Sequence, residues 1–236
     1  MSHTYTHPRP SVTTDTLVFS IRDRRLHVLL IERDKDPFVG RWAIPGGFLR
    51  LNEDLADCAA RELAEETQVS GLPLVQFRTY GTPGRDPRGP TVTVVFLALV
   101  ASDHIMPTGG SDARRAAWFP VDDHPPLAFD HDMILTEGRA RLAEDVTRSV
   151  AETGRVAFDF LPAEFSLSQA QTVFEILRGE DLDKRNFRKW IAATWAIADT
   201  GRMTNGTGHR PAALYRLVPD AHGRQSGRGG SANVAN

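Results

Sequence analysis

The segment that most constrains this chain covers residues 47–69 and reads GFLRLNEDLADCAARELAEETQV. Apolar residues recur in it every three or four positions, which predicts one amphipathic helix over residues 53–67. Asn52 is a suitable N-cap. Glu53 and Asp54 would then place negative charge in the first turn, where the helix dipole favours it. A chain with this segment is expected to build a fold around one strongly acidic helix.

Three glutamates of this helix share one face. Glu62, Glu65 and Glu66 stand at positions i, i+3 and i+4, where like charges destabilise a helix by about 0.2–0.5 kcal/mol per pair. A hard divalent cation such as Mg²⁺ or Mn²⁺ prefers carboxylate oxygens and would offset that repulsion. Arg61 lies four residues before Glu65 and can orient it. The three glutamates alone fit a solvated acidic face equally well.

The complete spacing resembles the Nudix box, G-x5-E-x7-R-E-U-x-E-E-x-G-U, in which U is a bulky aliphatic residue. Residues 42–47 (WAIPGG) also resemble that family. The resemblance implies an α/β/α sandwich, a nucleoside diphosphate linked to another group as ligand, and metal-assisted attack of water on the pyrophosphate. It implies metal ligands at Glu62, Glu65 and Glu66, of which Glu65 and Glu66 would be catalytic, and positioning roles for Glu53 and Arg61. Arg61 is also a candidate ligand-binding residue.

Two local features in and beside the Nudix box lead to further predictions. Gly46 and Gly47 let the backbone approach a phosphate closely, so both are candidate ligand-binding residues. Gln68 replaces the final glycine of the box, and a residue just past a helix often takes a left-handed conformation that glutamine adopts only with strain. We therefore expect Gly71 to make that turn instead. The departure bears on hydrolysis more than on metal binding, because the loop after the helix helps to place catalytic groups.

The elements around this helix predict an α+β class. Residues 14–20 and 26–32 form a β-hairpin, strands follow at residues 75–80, 91–99 and 116–120, and a helix covers residues 130–151. Arg85 and Arg88 lie in a loop between two of these strands, and their guanidinium groups match phosphate or carboxylate oxygens. An ordinary solvated turn fits them as well. The sequence of this loop, RDPRG, resembles the corresponding loop in the ADP-ribose-binding branch of the Nudix family. The resemblance implies contacts with a phosphate or the second ribose of a dinucleotide.

The back of the chain differs in charge from the front. Residues 1–164 contain 18 Lys and Arg against 24 Asp and Glu, whereas residues 165–236 contain 10 against 6. A helix over residues 168–177, with Ser166 or Ser168 as N-cap, precedes a second helix over residues 183–198 and a Gly-rich ribbon ending in a strand at residues 213–217. This order predicts a winged helix.

The second helix of that unit begins with a run of cations. Apolar residues of the helix point inward, so the cations stay outside, as in a recognition helix that reaches base edges and phosphates. The ribbon would be a wing near a DNA backbone or minor groove. A solvated basic face, or a winged helix that binds protein, is the alternative. The DNA-binding candidates are Lys184, Arg185, Asn186, Arg188 and Lys189 on the helix, with Arg202, His209 and Arg210 on the wing.

The whole chain resembles the Nudix-related transcriptional regulators of NAD metabolism, the NrtR family. Besides the Nudix box and the RDPRG loop, residues 182–188 (LDKRNFR) and 208–216 (GHRPAALYR) resemble that family. The resemblance implies a homodimeric repressor of NAD biosynthesis or salvage genes, released from a palindromic double-stranded operator by the effector ADP-ribose. The alternative is a metal-dependent ADP-ribose pyrophosphatase that makes AMP and ribose 5-phosphate. Both activities can coexist.

These assignments divide the chain into four regions. We expect a flexible arm over residues 1–12, a Nudix effector domain over residues 13–155, a winged helix-turn-helix domain over residues 156–218 and a disordered tail over residues 219–236. A single cysteine, Cys58, excludes an intrachain disulfide framework. No secretory leader is evident, and no apolar run approaches the roughly 20 residues that span a bilayer. The sequence thus predicts a cytoplasmic protein with no membrane partner.

Overall fold

The computed structural model describes residues 6–7, 9–101, 113–147, 155–204 and 211–218. The predicted tail, two wing candidates, His209 and Arg210, and residues 1–5 and 8 of the predicted arm lie outside these residues. The elements of the larger, N-terminal unit are β1 (Ser11–Arg22), β2 (Arg25–Arg33), β3 (Trp42–Ala43), β4 (Gly46–Phe48), α1 (Leu55–Thr67), β5 (Val75–Tyr80), β6 (Thr91–Val100), β7 (Ala113–Pro120) and α2 (His131–Thr147). Strand β1 therefore begins inside the predicted arm.

The predicted hairpin is confirmed, with a tighter turn than expected. Strands β1 and β2 pair antiparallel up to Arg22 and Arg25, so only Asp23 and Arg24 connect them. Both connecting residues have positive φ, 49° and 59°. Positive φ at both central positions is the geometry of a type I′ turn, whose twist matches that of the flanking strands.

Strand β1 is the centre of a seven-stranded mixed sheet. Along one edge β6 pairs with it in parallel over ten residues, and β5 continues the sheet beyond β6. On the other edge, β2 pairs only with residues 19–22 of β1, while β4 pairs with residues 13–15. The far end of β2, at Ile31 and Glu32, pairs with β3 instead, while β7 pairs along the other edge of β2 from His27 to Arg33. Strands β1 and β2 thus diverge, which opens a gap in the middle of the sheet.

One helix covers each face of this sheet. Val18 and Leu29 pack with Leu63 of α1 on one face. The neighbouring side chains Leu17 and Phe19 belong to the cluster that contains the buried residues of α2 on the other. Successive residues of a strand point to opposite faces, so β1 is buried on both. The predicted α/β/α sandwich is confirmed.

The C-terminal unit is a winged helix built from α3 (Val156–Asp159), β8 (Phe165–Ser166), α4 (Leu167–Arg178), α5 (Lys184–Thr194), β9 (Ile197–Met203) and β10 (Ala213–Leu217). Its three strands pair in the order β8-β10-β9. Of the two predicted N-caps, Ser166 is correct. Its hydroxyl accepts from the backbone N–H of Gln169, and the Gln169 side chain accepts from the N–H of Ser166, a capping box.

Helix α5, predicted over residues 183–198, is shorter than predicted. It ends at Thr194 rather than at residue 198, because Trp195 adopts an extended conformation with φ −121° and ψ 137°. This turn of the backbone buries the indole, whose ring centroid lies 5.0 Å from that of Phe158. Burial of a large aromatic side chain removes apolar surface from water and stabilises the core. The chain then enters β9 at Ile197, whereas the Gly-rich ribbon was predicted to begin at residue 200.

The two units share one apolar core. Helix α2 packs against α3 and α4, and a continuous cluster of buried side chains runs from Ile134 and Leu135 of α2 to Phe158 and Phe174. The opposite side of α2 lies so close to β1 that a side chain at Gly138 would overlap Leu17. Helix α2 is therefore held between the sheet and the winged helix.

Within the described ranges, no helix is long and apolar enough to cross a membrane.

Candidate functional site

The acidic helix begins two residues later than predicted. Asp54, not Asn52, is the N-cap, and its Oδ1 accepts a hydrogen bond of 2.9 Å from the backbone N–H of Ala56. Asn52 has a φ of 65°, whereas an N-cap residue is usually extended, as Asp54 is with ψ 156°. Glu53 consequently stands outside the helix, where its carboxylate can reach back to a side chain further along.

That side chain is Arg61. Its Nε and Nη2 donate to the two carboxylate oxygens of Glu53 at 2.5 and 2.9 Å, and its Nη1 donates to Glu62 at 2.6 Å and to Glu65 at 3.3 Å. The hydrogen bonds from Arg61 lower the pKa of Glu53 to about 2. Those with Glu53 in turn raise the pKa of Arg61. Arg61, expected to orient Glu65, mainly fastens the loop before the helix to the helix itself.

The three glutamates have different surroundings. The Glu66 side chain is buried and accepts a hydrogen bond of 2.9 Å from the backbone N–H of Gly46. Burial, reinforced by the nearby carboxylates of Glu62 and Asp15, raises the pKa of Glu66 to about 8. Glu65 is half-exposed and accepts from Arg50 at 3.2 Å. Glu62 and Glu66 thus face a common pocket, whereas Glu65 lies outside its lining.

The two glycines before the helix are required by close approach. A side chain at Gly46 would overlap the carbonyl oxygen of Thr14, and one at Gly47 would overlap the carboxylate of Glu62. Both glycines lie in the lining of the pocket. The sequence predicted these glycines for contact with a phosphate. In the structure, Gly46 allows close approach to β1, and Gly47 allows close approach to the acidic helix.

The expectation for the end of the acidic helix is wrong. Gln68 itself adopts the left-handed conformation, with φ 60° and ψ 17°, and its N–H donates to the carbonyl of Ala64 at 2.9 Å. Gly71, at φ 74°, makes a separate turn. A left-handed L-residue costs about 1–2 kcal/mol. Since Val69 is buried directly after it, the packing of the following residue compensates for this strain.

The pocket lies where β1 and β2 diverge, and its volume is about 390 Å³. This is within the range of small-molecule sites. Its lining includes residues of the acidic helix α1 and of the loop between β5 and β6, here called the arginine loop because it contains Arg85 and Arg88. The sequence predicted that these two segments lie close together. Its charged lining residues are Asp15, Asp34, Asp36, Glu62, Glu66 and Asp86 on the acidic side, with Arg33, Lys35, Arg50, Arg85 and Arg88 on the basic side.

Arg88 is held at the pocket by three contacts. Its guanidinium donates to both carboxylate oxygens of the buried Asp86, with Nη2 to Oδ2 at 2.7 Å. The guanidinium carbon lies 4.8 Å from the ring centroid of Phe48 and 5.5 Å from that of Phe129. Arg33 also lies over Phe129, at 4.8 Å. The pocket therefore has a stacked layer of aromatic rings and guanidinium groups, which suits planar and anionic ligands.

Arg85 is buried beneath this layer. Its side chain is 4% exposed, and it donates to both oxygens of Asp130 at 2.9 and 2.7 Å. Its Nη2 also lies 4.0 Å from Asp15. Asp15 accepts a further hydrogen bond of 2.6 Å from the hydroxyl of Thr93. The arginine loop is thereby connected both to β1 and to the residue that precedes α2.

His131 is a pocket residue that the sequence reasoning missed. Its Nδ1 accepts from the backbone N–H of Ile44 at 3.0 Å, so the proton of the neutral ring is on Nε2, which lies 3.8 Å from Asp15. Burial lowers the pKa of His131. No local pattern identifies this histidine, or Phe129 and Asp130 beside it, because the pocket is completed by residues far apart in the chain.

In the part of the chain that the structure describes, no group of three or more His, Cys, Asp or Glu side chains is arranged to hold a metal ion. The oxygens that face the pocket from Glu62 and Glu66 are nevertheless those that Mg²⁺ or Mn²⁺ prefers. The pKa of Glu66 is raised mainly by burial, and the neighbouring carboxylates of Glu62 and Asp15 add negative charge that a cation would offset. The donor set therefore fits a hard divalent cation.

The second candidate surface is the exposed face of α5. Phe187 and Ile191 are buried against the winged-helix core. The five residues of α5 that were predicted to contact DNA are exposed, as expected: Lys184, Arg185, Asn186, Arg188 and Lys189. Arg202 on β9 is exposed too and pairs with Glu164 at 3.0 Å.

Helix α4 holds the turn that leads into α5. Gln171 Nε2 donates to the carbonyl of Leu182 at 2.7 Å and to Oε1 of Glu175 at 2.8 Å. The same oxygen of Glu175 accepts from the N–H of Leu182 at 3.1 Å. Both backbone groups of Leu182 are thus bound by side chains of α4. Since Asp183, the next residue, is the N-cap of α5, these bonds set where the helix begins.

Comparisons with known proteins agree with this architecture. Residues 12–137 match the family model of the NUDIX domain, and residues 157–217 match that of the NrtR DNA-binding winged helix domain. The chain is 34% identical, over 90% of its length and 84% of the relative's, to the ADPR responsive transcriptional repressor NtrR of Acinetobacter baylyi.

Two solved structures are similar as well. Shewanella oneidensis NrtR complexed with a 27mer DNA superimposes with a TM-score of 0.71 at 33% identity, covering 89% of this chain and 94% of that one. The NUDIX domain of the same protein complexed with ADP ribose has a TM-score of 0.54 at 36% identity, covering 58% of this chain and 90% of that one. The chain therefore belongs to the NrtR family, in which a NUDIX domain is followed by an NrtR DNA-binding winged helix domain.

Proposed function

We propose that this protein is a transcriptional repressor that binds operator DNA through its winged helix and senses ADP-ribose in its NUDIX pocket. The observation that carries the proposal is the joining of two sites by one apolar core: a pocket lined with arginines and an exposed basic helix. Packing of α2 against the winged helix offers a route by which occupancy of the pocket can be coupled to DNA binding.

The exposed face of α5 suits duplex DNA. Lys184, Arg185, Arg188 and Lys189 present cations, and Asn186 offers a side-chain amide that can pair with adenine in the major groove. Cations that neutralise DNA phosphates release counterions, so affinity should fall steeply with salt. Among the wing candidates, Arg202 is exposed on β9. Its contact with DNA stays a prediction, as do those of His209 and Arg210.

The pocket suits a nucleoside diphosphate sugar. Arg85 and Arg88 come from the predicted loop, and Arg33, Lys35 and Arg50 supply further positive charge for a pyrophosphate. The ring of Phe48 at the pocket offers stacking area. ADP-ribose combines one planar base, two riboses and a pyrophosphate, and so matches this combination of charge and aromatic surface.

Glu62 and Glu66 would hold a divalent cation, Mg²⁺ or Mn²⁺, in this pocket, with Glu65 nearby. When bound, such an ion neutralises pyrophosphate charge and activates water. In the chain itself, Arg61 keeps the loop of Glu53 against the helix, and Gly47 leaves room for the Glu62 carboxylate. These carboxylates, all present here, are the observation that favours a second activity: residual hydrolysis of ADP-ribose.

The regulator is also proposed to act as a homodimer on genes of NAD biosynthesis or salvage. A two-fold symmetric protein needs two half-sites about one helical turn, roughly 34 Å, apart or at a multiple of that distance. Ligand binding that changes the spacing of two winged helices would then release the operator.

The decisive experiment is a mobility-shift titration of the full chain on the DNA upstream of its own operon, with and without ADP-ribose and Mg²⁺. We expect a salt-sensitive shift that ADP-ribose relieves. AMP is followed in the same tubes, so that hydrolysis is measured beside DNA binding. No shift at low salt, together with accumulation of AMP, would instead make the protein a pyrophosphatase.

A further inference from the structure

Arg85 contributes both to the ligand pocket and to the start of α2. Its side chain lines the ligand pocket, yet its Nε and Nη2 are both bound to Asp130. The pair is largely removed from solvent, with side-chain exposures of 4% for Arg85 and 17% for Asp130. A bidentate pair in such surroundings is geometrically specific and costly to break.

Asp130 in turn begins the helix that supports the winged helix. It directly precedes α2, and its carbonyl oxygen accepts the backbone N–H groups of Met133 and Ile134, both at 3.1 Å. A displacement of the Asp130 side chain therefore acts on the first turn of α2. His131, the next residue, also lines the pocket and is anchored to the backbone of Ile44.

The first turn of α2 also carries buried side chains of the shared core. Ile134 and Leu135 are 0% and 1% exposed and belong to the cluster that continues into the winged helix through Phe158 and Phe174. Because packed interiors have few voids, a shift of this turn must be accommodated by α3 and α4, which pack against α2. Helix α4 then holds the turn into α5 through its contacts with Leu182.

We propose that the Arg85–Asp130 pair is the contact through which pocket occupancy is communicated to the winged helix. This inference rests on the proposed function. An anionic ligand that uses the guanidinium of Arg85 brings a second negative charge beside Asp130, in a place already shared with Asp15. The ligand and Asp130 compete for one cation, and the ligand therefore weakens the pair that holds the start of α2.

Coupling between two binding sites is reciprocal. The competition therefore predicts linked changes in the affinity for ADP-ribose and in the affinity for operator DNA. Replacing Asp130 with an uncharged isostere removes the competitor of the ligand and also removes the anchor of α2. Asp130→Asn should bind ADP-ribose about fivefold or more tightly and bind operator DNA about fivefold or more weakly without ligand. Asp130→Glu keeps the charge and should move both affinities less. Asp123→Asn, at an exposed carboxylate in the segment before α2, is the matched control and should change neither.

The test measures ADP-ribose affinity by calorimetry and DNA affinity by mobility shift for the full-length wild type and the three variants. Opposite changes in the two affinities for Asp130→Asn support the inference. Weaker ADP-ribose binding by Asp130→Asn, or DNA binding that stays at the wild-type level, overturns it, because Asp130 would then only orient Arg85. If ADP-ribose does not weaken the DNA complex of the wild type, the proposed function itself is refuted, whatever the variants show.

A second measurement does not depend on the folding of a variant. Amide hydrogen exchange of the wild type is recorded with and without ADP-ribose. The inference requires that ligand reduce the protection of amides in the first turn of α2, residues 133–136, and in α4. Unchanged or increased protection of both segments overturns it.

Discussion

Oε1 of Glu175 accepts a hydrogen bond from the backbone N–H of Leu182 at 3.1 Å, which joins helix α4 of the winged helix to the turn that leads into α5. Gln171 completes the arrangement at the carbonyl of Leu182. The two side chains act on the basic helix without lying on its exposed face, so they should matter for DNA binding without touching DNA.

Glu175→Ala should therefore weaken operator binding more than it weakens binding to unrelated DNA. Loss of an acceptor leaves the N–H of Leu182 without a partner and loosens the angle of α5. We expect a loss of about three- to tenfold in operator affinity, with ADP-ribose affinity unchanged. Glu175→Gln retains an acceptor oxygen and should restore most of it. Equal losses on both DNAs would show that the pair stabilises the domain without positioning α5.

The double change Arg185→Ala and Arg188→Ala should abolish operator binding and leave ADP-ribose binding intact. Both cations are exposed on α5 and are free to contact phosphates or bases. Each lost phosphate contact should also lower the slope of log affinity against log salt by about 0.9. Mobility shifts at several salt concentrations measure both effects. Arg139→Ala, an exposed arginine of α2, is the control, and unchanged DNA affinity of the double variant would contradict the assignment.

Arg88→Lys should reduce ADP-ribose affinity about tenfold. Lysine cannot reproduce the bidentate contact with Asp86 or the planar stacking between Phe48 and Phe129. Calorimetric titration with ADP-ribose measures the loss. Arg41→Lys changes a guanidinium over Phe38 that is not part of the pocket lining and should leave the affinity unaltered. Equal behaviour of the two variants would exclude a specific role for Arg88.

Glu66→Gln should stabilise the metal-free protein at alkaline pH. The folded-state pKa of Glu66, about 8, lies above its ordinary value, so the folded protein keeps a proton that the unfolded chain releases. Stability from this proton is fully present below about pH 4.5 and is lost as pH rises towards 8. In the presence of a chelator, the variant should melt a few °C above wild type at pH 8.5 and close to it at pH 4.5.

Glu65→Gln is the control for this effect, because Glu65 is half-exposed and paired with Arg50. Addition of Mg²⁺ should raise the melting temperature of wild type at pH 8.5 and leave that of Glu66→Gln almost unchanged, as expected for a metal bound by Glu66. Melting curves that show no difference in pH dependence between Glu66→Gln and wild type would contradict the buried, protonated state.

Local patterns determined the elements and their order. The spacing of apolar residues located α1 and the strands. The turn of the first hairpin lies within residues 21–25, between the two predicted strands. The helix-turn-helix order predicted the winged helix. The same patterns indicated Glu62, Glu66, Arg85 and Arg88 as candidate site residues, because each lies in a short motif, and all four line one pocket. These signals are local, so they can be read from neighbouring residues alone.

Tertiary structure decided what local patterns do not contain. Trp195 leaves the helix to fill the core, Gln68 takes the left-handed conformation itself, and Glu53 is drawn to Arg61, which moves the N-cap to Asp54. The pairing of Arg85 with Asp130, 45 positions apart, depends on the divergence of β1 and β2 and on the packing of α2. The sequence by itself determined which elements and chemical groups this protein has. Only the fold decided which groups share a pocket, because burial and charge pairing act between residues that are distant in the chain.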